Sequence, residues 1–164
     1  MVTEIYIARN TEPLVFSSFL FLIPAIYAYY VNLYFYTILS VLTFCISVNY
    51  WRKATIGIRR NLDLIFSKIS FSIYVTTQLF YLYYDSPLLL GYPIFKNSNI
   101  SKRRFIISYI YLFFIVYYYN MSYYYYNKND MKWIYSHIMF HLFCNLNIFI
   151  IIDSVNSKNN IFSI

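Results

Sequence analysis

Long apolar runs broken by short polar or basic stretches set the pattern of this chain. A helix needs about 20 apolar residues to cross a bilayer core, and the runs at 13–31 and 33–51 are of that length. Asn32, between them, predicts a tight turn. Further spans are predicted at 61–82, 104–120 and 133–152, with a short one at 86–96. The short span follows from charge. Only an additional crossing there puts the basic groups Arg52, Lys53, Arg59, Arg60 and Lys96, Lys102, Arg103, Arg104 on one side of the membrane, as positively charged loops prefer. The expectation is therefore an all-α, polytopic transmembrane bundle of about six spans, within a range of five to seven, forming one domain over 1–164.

Two runs carry polar positions at helical spacing. Ser40, Thr43 and Ser47 line one side of 33–51, and Asp63, Ser67, Ser70, Tyr74 and Gln78 follow one another by threes and fours in 61–82, so each set projects from a single helix face. An unpaired carboxylate inside a bilayer costs roughly 3 kcal/mol, which predicts that Asp63 faces the bundle interior, with Lys68 near enough to offset its charge.

Composition turns this pattern into a class. Hydrophobic residues make up 60% of the chain and aromatics 24%, more than a soluble domain of this length can bury. The 22 Tyr and 16 Phe, with abundant Ile, Asn and Lys, share AT-rich codons, which points to an AT-biased genome such as that of a large DNA virus or a protist. The tyrosine run at 123–126 is read as part of that bias. The net charge of +7 sits in clusters between apolar runs, where it sets topology and offers no basic face to nucleic acid. Cys45 and Cys144 lie in different runs and read as reduced, small hydrophobes. The first run lacks a basic start and a small-residue cleavage site, so it is expected to remain as a span. The expected setting is an endomembrane or viral membrane, with membrane lipids as partners and, for an even number of spans, both termini in the cytosol. Asn99-Ile100-Ser101 and Asn120-Met121-Ser122 match the glycosylation pattern, but the first falls in a cytosolic loop on this topology and the second hugs the membrane, so neither is expected to be modified.

Candidate chemistry is confined to a few residues. The chain has 2 histidines, His137 and His141, four apart in the last span, so both rings and the Asn145 amide share one helix face. Such a stripe must face protein, water or a metal. Ser47 ends one span and Asp63 begins the next, so the short loop between them holds both toward one end of the bundle.

The order Ser47, Asp63, His137, His141 resembles the CREST superfamily of membrane hydrolases, which includes the alkaline ceramidases, the adiponectin and progesterone-type receptors, the haemolysin III proteins and the GPI-remodelling enzymes. The resemblance rests on residues 44–68 and 133–147 and implies a zinc site. In the family three histidines hold the ion, and the serine and aspartate contact its bound water. By that analogy His137 and His141 are metal ligands, Asp63 is the base, and Ser47 supports the oxyanion in the hydrolysis of a lipid amide or ester. Trp51 stands where the family has its first zinc-binding histidine. Because catalytic zinc usually takes three protein ligands, a third would have to come from Asp63, Cys144 or Cys45. Two other functions fit the same residues: a non-catalytic scaffold or lipid-binding protein, in which the imidazoles bond across the bundle, and a small transporter lined by the polar stripe.

Overall fold

Turn chemistry and proline placement explain where the apolar runs become helices. A computed structural model describes the backbone over 11–83 and 98–162, and side chains for 11–79, 103–104 and 106–157. The first rod opens with α1 (Glu12–Ser18), where Pro13 occupies the first turn and Glu12 adds an acidic group. Both suit a helix start, since proline's missing N–H is not needed there and the dipole favours negative charge. A 3-10 turn, Phe19–Phe21, links α1 to α2 (Leu22–Tyr30). Its cause is Pro24, which cannot donate to the Leu20 carbonyl and whose ring crowds it, so the preceding turn tightens.

Asn32 then reverses the chain. It takes the left-handed conformation at φ 60°, which asparagine tolerates. Leu33 N–H reaches the Ala28 carbonyl at 2.8 Å and Asn32 N–H reaches Tyr29 at 3.0 Å, the paired bonds of a Schellman turn. After α3 (Tyr34–Trp51), Gly57 precedes α4 (Ile58–Tyr83) with φ +144°, a conformation that favours glycine. Following α5 (Ser98–Asn127), the turn chemistry repeats. Asn129 has φ 53°, and Asp130 N–H bonds the Tyr125 carbonyl at 3.0 Å. The Asp130 carboxylate then accepts from Lys132 N–H at 3.0 Å, capping α6 (Lys132–Phe162). In this exposed turn the Tyr124 hydroxyl bonds Lys128, holding its ammonium pKa above the ordinary lysine value.

The described residues thus form five antiparallel rods, all helical. Three stretches, Glu12–Tyr30, Tyr34–Trp51 and Lys132–Ser157, are long and apolar enough to cross a membrane. Helices α4 and α5 are long as well, at 26 and 30 residues, but charged and hydroxyl residues dilute one and tyrosines the other. The count of six spans is not supported. The short span expected at 86–96 lies outside the described residues. Its flanking helices meet the same end of the bundle: Gln78, late in α4, and Ser108, early in α5, both bond Asn147 of α6.

Two apolar clusters hold the rods. Nearer the end where α3 stops and α6 starts, Leu14, Tyr50, Trp51, Ala54, Trp133 and Ile134 pack together. Toward the other end, Phe21, Ala28, Leu39, Tyr74, Ile148, Ile151 and Ile152 do so. Small side chains matter here because without a solvent-driven term membrane helices associate by close packing; Ala28 and Ser18 are both fully buried. Beyond the second cluster, Arg104 of α5 pairs with Asp153 of α6 at 2.8 Å, and Tyr27 of α2 donates to the same carboxylate at 2.9 Å. Arg104 also donates to Ser157 at 2.9 Å.

Candidate functional site

Between the two apolar clusters lies a polar seam built from α1, α3, α5 and α6. His141 is buried, with Nδ1 2.8 Å from the Ser17 hydroxyl. Ser17 has one proton, and its Oγ lies 3.0 Å from the Leu14 carbonyl, an acceptor only. Ser17 therefore donates to Leu14 and accepts from His141 Nδ1–H. The same logic holds one turn away. Ser122 Oγ lies 3.4 Å from the Trp133 carbonyl and 3.3 Å from His137 Nδ1, so it donates to Trp133 and accepts from His137. The network assigns both imidazoles the Nδ1–H tautomer, with the lone pair on Nε2. The two rings stand edge to face, centroids 4.8 Å apart, as their four-residue spacing requires.

Ser47 is buried in the same seam but meets different partners from those the sequence led us to expect. Its hydroxyl lies 3.0 Å from Ser18 Oγ. Ser18 itself donates to the Leu14 carbonyl at 2.8 Å, so Ser47 donates to Ser18. Its proton is thus directed at α1 and not toward Asp63. Ser40 and Thr43, the other polar residues of α3, turn to α4, with Ser40 2.8 Å from the Tyr74 hydroxyl and Thr43 3.3 Å from Ser70. Along α4, Ser70, Tyr74 and Gln78 are buried as their stripe predicted, whereas Ser67 is exposed.

Asp63 sits half-buried at the α3–α4 corner, within electrostatic range of the Tyr50 hydroxyl, which Arg60 also reaches. Lys68 does not pair with it: five residues along a helix is a rotation of about 140°, and Lys68 is exposed on the outer side. Among the described residues no group of three His, Cys, Asp or Glu side chains gathers as a metal site. Cys144 packs against the second apolar cluster and Cys45 is exposed.

Trp51 occupies the place that matters most. Its ring meets His137 edge to face at 4.9 Å and Trp133 at 6.1 Å. The Trp51 carbonyl accepts from Thr11 at 2.7 Å, tying α1 to the end of α3. Indole carries an N–H and no lone pair for a metal, and Trp51 Nε1 is buried without a protein partner, as is Asn145 Oδ1. Asn145 Nδ2 turns back on its own helix, donating to the His141 carbonyl at 2.7 Å. A catalytic zinc would find two imidazole lone pairs here beside an indole that offers none, and among the described residues no third ligand gathers with them, so the residues present do not fit a three-ligand site.

Ser17, Ser18 and Ser122 were not among the residues singled out from sequence. The first two form an adjacent hydroxyl pair inside an apolar run, which is a legible signal because hydroxyls in hydrocarbon seek interhelical partners. Ser122 was masked by its glycosylation pattern, which in the folded chain lies inside α5 with Ser122 buried. Comparison with protein-family models, curated proteins and solved structures finds no match for this chain.

Proposed function

We propose that this chain is a non-catalytic multi-pass membrane scaffold that keeps the plan of the CREST hydrolases and uses their two remaining histidines to brace the bundle. The observation that carries the reading is the Trp51 ring against His137 at 4.9 Å, filling the third-ligand position with a group that cannot ligate. Two further features support it. Each Nδ1–H is spent on a serine of another helix, and the Ser47 proton is spent on Ser18. The end of the bundle that carries Arg52, Lys53, Arg59, Arg60, Lys128 and Lys132 faces the cytosol on this reading, following the preference of basic loops. An endomembrane or viral membrane is the proposed setting, and lipids are its neighbours.

A second reading is favoured by one observation. With both Nδ1 atoms donating to serines, both Nε2 lone pairs stay available, the arrangement that second-shell bonds impose on metal-binding histidines. On that reading the protein is a zinc-dependent lipid amide or ester hydrolase with a third ligand that the described residues do not bring to the pair.

Chelation separates the two. For the scaffold, prolonged dialysis against a strong chelator leaves the unfolding midpoint in detergent unchanged. A zinc-held site would lose the linkage contribution of its metal, about 2.7 kcal/mol at a hundredfold excess over the dissociation constant, and the midpoint would fall.

A further inference from the structure

Helix α4 carries two opposed polar stripes, and only the inner one is satisfied. Its inner face holds Ser70, Tyr74 and Gln78 against α3 and α6. On the outer side Asn61, Ile65, Lys68, Ser72, Val75 and Leu79 follow at alternating steps of four and three, the spacing of a helix-packing seam. Ile65 is 58% exposed and Leu79 49%, and Lys68 and Ser72 between them are exposed as well. The ion pairs of the described residues are Arg104 with Asp153 and Lys132 with Asp130; Lys68 enters neither.

Lys68 lies eight residues beyond Arg60, about 12 Å further along the axis. Since α4 lies against α3 and α6, two of the stretches apolar enough to cross, the membrane reading above puts Lys68 within the apolar layer, where an unpaired charge is costly and normally finds a partner. We propose that the outer face of α4 is a docking surface for a membrane-spanning helix of another protein that bears a carboxylate at the depth of Lys68.

The charge on this chain argues for a different protein over a second copy. Two α4 faces meeting about a two-fold axis would bring Lys68 against Lys68. No described acidic residue of a second copy is placed to answer it: Asp63 faces inward, Asp153 is paired with Arg104, and Glu12 and Asp130 lie at the turns. Ser72, one turn beyond the lysine, and Thr76, a turn further on, are also exposed and offer hydroxyls for the interhelical bonds that such pairing uses.

The test uses the full chain in phosphatidylcholine liposomes with labelled single-span leucine helices as guests, carrying Asp, Leu or Lys at the matching depth. Energy transfer should report association with the Asp guest on the order of tenfold stronger than with the Leu guest. Lys68→Leu should erase that preference, and Lys68→Glu should transfer it to the Lys guest. Lys68→Gln serves as a milder variant should the glutamate prevent insertion. Equal association of Asp and Leu guests with the native chain would overturn the proposal. So would a Ser72→Cys variant, in a Cys45→Ser background, that oxidises to a homodimer. A chain that does not enter the liposomes would contradict the membrane reading instead.

Discussion

Replacing both His137 and His141 with alanine will loosen the bundle by about 2–4 kcal/mol, measured as unfolding free energy in detergent. Part of that loss is bonding. Each imidazole gives up one interhelical bond, worth about 0.6 kcal/mol on average in membranes. The larger part is packing, since His141 is 3% exposed and meets Phe21 at 5.3 Å while His137 meets Trp51, and truncation leaves a cavity where α1, α3 and α6 converge. The serines do not resist the change, because Ser17 and Ser122 keep their carbonyl partners. His141→Gln, which retains an amide donor, should lose less than half as much as His141→Ala. The sign of the effect is informative. Polar residues held in place for chemistry commonly stabilise a protein when removed, so an unchanged or raised stability in the double variant would count against a bracing role.

Trp51→His will behave in two stages. Without metal the variant should be less stable, by less than the ~3–5 kcal/mol that truncating a buried Trp to Ala costs because the imidazole fills part of the space, since Trp51 belongs to the cluster with Tyr50, Trp133 and Ile134. With zinc it should recover. The new imidazole would stand beside two Nε2 lone pairs, completing the number of ligands a catalytic site takes, and zinc at a hundredfold excess over its dissociation constant would return about 2.7 kcal/mol. Native protein should show no comparable response to zinc. If the variant and the native chain respond alike, the third-ligand position has been misassigned.

Much of the fold was legible because it rests on local chemistry. The left-handed turn at Asn32 and the buried positions Ser70, Tyr74 and Gln78 follow from residue type and helical period. The span count was less legible, since it was argued from charge and run length, whereas among the described residues three stretches are long and apolar enough to cross a membrane. Nor does periodicity fix what lies opposite a helix face. The rotation that turns Lys68 away from Asp63 is computable from spacing, yet whether Ser47 would meet Asp63 or Ser18 depends on how α1 enters the bundle. The 3-10 turn ahead of Pro24 helps to set that entry, bringing the Ser17–Ser18 pair between α3 and α6. The histidine pair was visible as a polar stripe. Its partners lie on α1 and α5, 124 and 15 residues away in sequence, beyond what spacing along one helix can reveal.

The central claim, that His137 and His141 brace helices and do not hold a metal, is tested most directly by elemental mass spectrometry of the detergent-purified chain prepared without chelators, beside the His137→Ala, His141→Ala double variant. The bracing account predicts far less than one zinc per chain in both, with no difference between them. About one zinc per native chain, absent from the double variant, would contradict it.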